Sequence, residues 1–260
     1  MPKGSVMAEA SPLATCLRPV RAVVLDTDGV LVDSARLHAA AWREAFDACL
    51  AAVGGQRPFD PVDDYLRHVD GRSRLDGAAA FLASRGVQLP PGSPKDAPGT
   101  GSVAAVAARK EEVFTALLRE RGAEVWPGSV RLLHALRDEG VACAAVSASR
   151  HAAELLQRAG LRGLLGAVVD GNEAARLGLP GKPDPALFVE AARRLGVPPG
   201  DAAVVEDALA GVAAGRRGGF GLVVGVDRSG TGGHAAELHR RGADLVVADL
   251  AELLVPGAAR

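Results

Sequence analysis

Apolar and polar positions divide this chain into two stretches with different rhythms. From about residue 120 onward, short apolar runs alternate with amphipathic segments. Val141–Ser147 reads as a strand, and Ala152–Ala159 as a helix that Ser149 could cap. Val168–Asp170 reads as a short strand and Pro185–Leu195 as a helix. Ala202–Glu206 is a strand, Ala208–Arg217 a helix, Leu222–Val226 a strand, His234–Arg241 a helix and Leu245–Val247 a last strand. Such alternation predicts an α/β fold, a Rossmann-like parallel sheet covered on both faces.

One more strand precedes this region. Ala22–Leu25 is an uninterrupted apolar run, and more than a hundred residues separate it from Val141. Most of that span carries helical spacing, strongest in Ser34–Val53, Arg72–Arg85 and Val103–Arg121. A single crossover needs only one helix, so the excess predicts an inserted helical domain. The expected division is a core of residues 20–33 and 123–260, with a helical cap over 34–122. Gly86–Ser102, rich in Pro and Gly, reads as a mobile loop, and Trp126-Pro127-Gly128 as the return to the core. Residues 1–19 hold no apolar run of signal length and read as a loose tail.

Composition narrows the function classes. The net charge is −1 with no block of like charges, which argues against nucleic acid and against a basic membrane-binding face. No apolar stretch is long enough to span a bilayer. Cys16, Cys49 and Cys143 stand far apart, without the spacing of a zinc site or a disulfide framework, so a cytoplasmic setting is expected. A monomer is the default expectation.

Candidate chemistry sits at the ends of the expected strands. Asp26-Thr27-Asp28-Gly29 follows the first, Ser147-Ala148-Ser149 the second, and Glu206-Asp207 a later one; Gly181-Lys182-Pro183 lies just before a helix. In open parallel sheets that edge is where ligands bind. Two carboxylates 4 Å apart repel by about 4 kcal/mol at an effective dielectric near 20, so the pair implies a cation, a proton or a phosphate. Acid pair, hydroxyl, lysine and second acid pair together suit phosphoryl transfer. One carboxylate can attack phosphorus, the hydroxyl and lysine can hold phosphoryl oxygens, and the remaining carboxylates can hold Mg²⁺ through hard oxygen ligands.

In type, order and spacing these four motifs resemble the haloacid dehalogenase superfamily, and over residues 20–254 the chain is similar to its β-phosphoglucomutase-like members with an inserted helical cap. The resemblance implies that Asp26 is the nucleophile and Asp28 the general acid/base. It also implies that Ser147, Ala148 and Lys182 bind the transferring phosphoryl group, and that Asp26, Asp28, Glu206 and Asp207 hold Mg²⁺. In the cap, His38 and Trp42 match residues that couple closure to the acid/base and line the sugar site. Gly71, Arg72, Ser73 and Arg74 match a substrate loop whose last arginine grips the non-transferring phosphate, and Lys110 matches another sugar-phosphate contact. The implied partners are glucose 1-phosphate and glucose 1,6-bisphosphate. Arg150-His151 departs from the Lys-Asn of that pattern, and residues 50–70 and 86–102 are expanded.

Each feature alone has an ordinary reading. Asp-x-Asp-Gly is also turn chemistry, a strand-end serine is often a helix cap, and Glu206-Asp207 could be helix N-terminal charge. Trp42 could be core, Arg72 and Arg74 a solvated face, and Lys182 a surface lysine. The glycines from Gly215 to Gly233 straddle a strand and do not make a dinucleotide fingerprint. His68, His134, His234 and His239 carry no assigned role. Three functions therefore stand: a Mg-dependent mutase converting β-glucose 1-phosphate to glucose 6-phosphate, a sugar-phosphate phosphatase on the same motifs, and a non-catalytic binding module. A dehalogenase needs neither the acid at Asp28 nor a metal.

Overall fold

The computed structural model describes residues 11–122, 124–229 and 232–255. In chain order these form β1 (Ala22–Asp26), β2 (Val32–Asp33), α1 (Ala35–Val53), α2 (Arg74–Ser84), α3 (Val103–Arg121), β3 (Glu124–Val125) and α4 (Pro127–Asp138). They continue with β4 (Ala142–Val146), α5 (Ala152–Arg158), β5 (Ala167–Val169), α6 (Gly171–Leu177), α7 (Ala186–Leu195), β6 (Ala202–Glu206), α8 (Leu209–Arg217), β7 (Leu222–Val226), α9 (Gly233–Arg241) and β8 (Leu245–Val247).

Six strands make one parallel sheet in the order β5-β4-β1-β6-β7-β8. The α/β fold expected of the sequence is therefore present. Because successive strand residues face opposite sides, Val23, Leu25, Cys143, Ala145, Val205 and Val224 pack under α4. Ala22, Val24, Ala144, Val146, Val204 and Val223 pack under α7, α8 and α9. β1 lies between β4 and β6, and the chain leaves β1 for one side of the sheet and later returns to the other. That reversal opens a crevice at the carboxyl ends of β1, β4 and β6.

The helices α1, α2 and α3 lie between β2 and β3 in the chain and share a separate core. Trp42, Phe46, Phe59, Tyr65, Phe81, Leu82 and Val106 are all buried there. On α1 the buried set includes Leu37, His38, Ala41, Trp42, Ala45, Phe46 and Cys49, the 3–4 spacing of one helical face. Trp42 stacks on Phe46 at 4.7 Å between centroids, and Phe46 meets Phe81 at 4.0 Å. β2 and β3 pair antiparallel, Val32 opposite Val125 and Asp33 opposite Glu124, so the chain enters and leaves this helical region through one short ribbon.

Three expectations change. Residues 1–10 of the expected tail lie outside the described residues, but residues 11–19 are packed: Leu13 bridges to Leu254, and Leu13 and Leu17 are buried in the core. The stretch 86–102 is tied down. The Ser102 hydroxyl donates to Asp96 Oδ2 at 2.5 Å and accepts from the Ala105 N–H, capping α3, while the Val103 N–H donates to the Pro90 carbonyl. The cap residue of α5 is His151, and Ser149 instead accepts a hydrogen bond from the His151 N–H at 3.2 Å.

Candidate active site

β1 ends on Asp26, and the next residues turn back so that the Asp28 N–H donates to Asp26 Oδ2 at 2.9 Å. Thr27 anchors the turn by donating to the Val146 carbonyl of β4 at 3.0 Å. The turn needs Gly29: its φ is +81°, and a Cβ there would collide with the Asp207 carboxylate. The two loops that carry acid pairs are therefore packed backbone against side chain.

Asp26 and Asp28 have different surroundings. Asp26 is buried and pairs with Lys182, whose ammonium also donates to Glu206 Oε1 at 2.5 Å. Burial, with Glu206 and Asp28 nearby, raises the Asp26 carboxyl well above the usual range even though Lys182 pulls it down. Asp28 instead collects donors. Ser34 donates to its Oδ1, His38 Nε2 lies 3.3 Å from the same oxygen, and Ser147 donates to Oδ2 at 2.8 Å. Burial alone would raise Asp28, but the hydrogen bond and charge of His38, with Ser34 and Ser147, hold it well below the usual range.

The His38 ring is held from both sides. Lys110 Nζ lies 2.9 Å from its Nδ1, and the ring stacks on Phe114 at 4.0 Å. An ammonium has only donors, so Nδ1 accepts and Nε2–H points to Asp28. Burial and the Lys110 charge lower the His38 pKa, which favours this neutral form. Burial likewise brings Lys110 down to about 8, against the pull of Glu111 and Asp28. Its Nζ sits 4.4 Å over the Phe114 ring and 5.6 Å over Trp42.

A cavity of about 800 Å³ opens above the aspartates. Asp26, Asp28, Ala148, Lys182 and Asp207 line it from the core, and His38, Trp42, Gly71, Arg72, Arg74 and Lys110 from the helices. Ser73 also borders it, but its hydroxyl accepts from the Asp76 N–H and donates to Asp76 Oδ2 at 2.6 Å, so it caps α2. Gly71 (φ +69°) leans on the core so closely that a Cβ would stand 2.6 Å from Ala208 Cβ. Ser147 and Glu206 sit behind the cavity wall. Glu206 is fully buried and engages both oxygens, one with Lys182 and the other with the Ala208 N–H at 2.6 Å.

Among the described residues no three His, Cys, Asp or Glu side chains already form a metal cage. The donor chemistry nevertheless fits a hard divalent cation: Asp26, Asp207 and Glu206 offer only oxygens. Asp207, like Asp26, is raised well above the usual range by burial and by neighbouring carboxylates, a crowding that a cation would relieve.

Four contributors escaped the sequence reading. Ser34, at the start of α1, reaches Asp28. Tyr65 and Asp70 close a π-helical turn, Tyr65–Val69, and face the cavity with their side chains hydrogen-bonded. Burial and Glu206 raise Asp70 to about 7, against the pull of Lys182 and the Tyr65 hydroxyl. Glu111 joins Arg74 at 3.3 Å to His151 at 2.9 Å. Ser34 and Asp70 stand inside the two cap segments that carry the family resemblance, 33–42 and 70–74, and Glu111 stands beside Lys110, but none had a role of its own there; Tyr65 had no cue.

Comparison with known proteins gives the family. Residues 20–219 match the model of the haloacid dehalogenase-like hydrolases. A β-phosphoglucomutase of Mycobacterium bovis is 47% identical over 240 residues, covering 90% of this chain and 92% of that protein. A phosphorylated carbohydrates phosphatase of Thermotoga maritima is 28% identical, covering 83% of this chain and 89% of its own. Among solved structures, a haloacid dehalogenase family hydrolase of Deinococcus radiodurans with bound phosphate and sodium aligns with a TM-score of 0.63 and 31% identity, over 90% of this chain and 93% of that one. The chain thus belongs to the haloacid dehalogenase superfamily, as a β-phosphoglucomutase-like enzyme of phosphoryl transfer.

Proposed function

We propose that this enzyme is a Mg²⁺-dependent mutase that converts β-glucose 1-phosphate to glucose 6-phosphate through glucose 1,6-bisphosphate. The observation that carries this reading is the relay Lys110–His38–Asp28, in which one helix-borne side chain holds another against a core carboxylate. A hydrolase needs only water as acceptor. A mutase needs its acid/base matched to a sugar hydroxyl and water kept out, and a relay that engages Asp28 only when the helices sit over the core serves both needs.

In this reading Asp26 carries the phosphoryl group. The sugar 6-hydroxyl attacks phosphorus, the Asp26–phosphorus bond breaks, and Asp28 takes the hydroxyl proton. After the bisphosphate turns over, Asp26 attacks the phosphorus at C1, and Asp28 returns the proton to the departing C1 oxygen. Lys182 and Ser147 bind the transferring oxygens, with Ala148 beside them at the cavity wall. A base held as low as Asp28 is weak, but Ser147 cannot serve Asp28 and a phosphoryl group alike. When Ser147 turns to the phosphoryl group, Asp28 loses a donor and becomes a stronger base. Asp26, Asp207, Glu206 and the Asp28 backbone carbonyl would hold Mg²⁺, which would neutralise charge on the phosphoryl oxygens. Trp42 and the Gly71–Arg74 loop frame the sugar, and Arg74 suits the second phosphate through a two-point guanidinium contact.

The test is a panel of sugar phosphates given to the full chain with Mg²⁺ and a bisphosphate primer, scored for isomerised product and for phosphate release. The expected result is glucose 6-phosphate from the β-anomer in excess over released phosphate. Steady phosphate release exceeding isomerisation would establish the phosphatase instead.

A further inference from the structure

Glu111 holds an unusual position for a residue beside a phosphate-binding arginine. A single oxygen, Oε1, receives Arg74 Nη1 at 3.3 Å and His151 Nε2 at 2.9 Å. Arg74 opens α2, Glu111 belongs to α3, and His151 stands at the start of α5, so one carboxylate gathers two helices of the insert and one of the core. A guanidinium and an imidazole converging on one anionic oxygen is the arrangement that a phosphate oxygen would also seek.

Glu111 and Arg74 also line two cavities. One is the cavity above the aspartates. The other, about 470 Å³ and more open, is bordered by Ala108, Glu112, Thr115, Ala116 and Arg119 as well. The Arg74–Glu111 pair is therefore part of the partition between them, and the outer space leaves room for the Glu111 side chain to turn away. Its side chain is 22% exposed and that of Arg74 24%, so water reaches the pair; burial alone would raise the Glu111 carboxyl, but His151, Lys110 and Arg74 hold it down to about 2. Thr115 Oγ1 lies 3.4 Å from His151 Nε2, close enough to steady the imidazole once Glu111 has left.

We propose that Glu111 is a displaceable internal anion at the distal-phosphate end of the site: it holds Arg74 and His151 until a substrate phosphate takes them, and then swings toward the outer cavity. This rests on the reading in which Arg74 grips the non-transferring phosphate. The competing carboxylate weakens that grip. A bisphosphate intermediate that must release one end in order to present the other needs such a weakened hold. Glu111 would thus be a specificity-determining residue that trades affinity for reorientation.

The sign of one binding change decides the matter. Glucose 1,6-bisphosphate and, separately, inorganic phosphate are titrated calorimetrically with Mg²⁺ into full-length Asp26→Asn protein, with and without Glu111→Gln. Removing the carboxylate is expected to tighten binding of both by about five-fold, the range of a partly exposed ion pair. Glu111→Ala should give the same sign, which covers a folding failure of either variant. Adding Arg74→Ala should erase the gain. Unchanged or weaker binding in the Glu111 variants would overturn the proposal and make Glu111 a support for Arg74. If phosphate binding tightens while no sugar bisphosphate binds, the sugar reading fails and the displaceable anion stands.

Discussion

The floor and the roof of the cavity are built on opposite electrostatic plans. The floor, from the sheet, crowds Asp26, Glu206 and Asp207 around one lysine, and most of these groups are sealed from solvent. The roof, from the helices, brings donors and cations: His38, Lys110, Arg72 and Arg74. The floor is short of positive charge, whereas the roof meets part of its own charge through Glu111, which pairs with Arg74. Asp28 is where the two plans meet. It belongs to the floor by sequence but takes Ser34 and His38 from the start of α1, so its acidity is set by those two together with Ser147 at the end of β4.

This contrast can be broken from either side. The largest effect is expected from Asp26→Asn, which keeps the shape but removes the oxygen proposed to attack phosphorus. Turnover should fall by roughly 10⁴ or more, measured as glucose 6-phosphate formed, with the melting curve nearly unmoved. Next is Lys182→Met. It leaves Asp26 and Glu206 buried without their shared cation and should cost about 3–5 kcal/mol in denaturant unfolding, together with activity. On the roof, His38→Ala should lower isomerisation roughly 10²–10³-fold while phosphate release falls less, since water can reach Asp28 without the relay. An equal loss of both would argue against a gating role for His38.

A smaller effect should follow from pH. Lys110 ionises at about 8, burial having lowered it, so its proton is present below that value and lost above it. Once neutral it no longer pins His38 through a charged donor, and kcat/KM should decline as pH rises past about 8. Lys110→Arg should carry that limb upward by at least a unit in the pH–rate profile. The smallest effect is expected from Gly71→Ala. A left-handed backbone and the 2.6 Å approach to Ala208 would push the loop off the core, with a cost of about 1 kcal/mol and a raised KM.

How far the fold was legible followed from element length and burial. β6, β7 and β8 run over the residues expected of them, because buried parallel strands are continuous apolar runs flanked by turn residues. α3 too keeps its expected ends, with Ser102 as a capping residue and Gly122 beyond. The two-residue strands β2 and β3 went unread, since a pair of residues has no period. α6 was missed because its Gly171–Leu177 run holds no buried residue to mark a face. Pro and Gly in 86–102 suggested mobility, yet the Asp96–Ser102 bond is formed between residues too far apart for a turn motif. The site divides in the same way. Asp26, Asp28 and Asp207 converge because strand ends do, and Lys182 joins them from the loop before α7, whereas Ser34, Tyr65, Asp70 and Glu111 matter through contacts across elements that spacing alone does not encode.

The ribbon of β2 and β3 has a consequence for assembly. Val32 and Val125 are neighbours in space, so for the sheet the whole helical insert amounts to a hairpin whose ends already touch. Closing a chain segment costs entropy that grows only logarithmically with its length, and here the pairing of two short strands pins the ends directly. The sheet can therefore register β1 against β4 with little regard to what is threaded between them. The insert above the ribbon is correspondingly free to lengthen without disturbing the strand ends of the sheet.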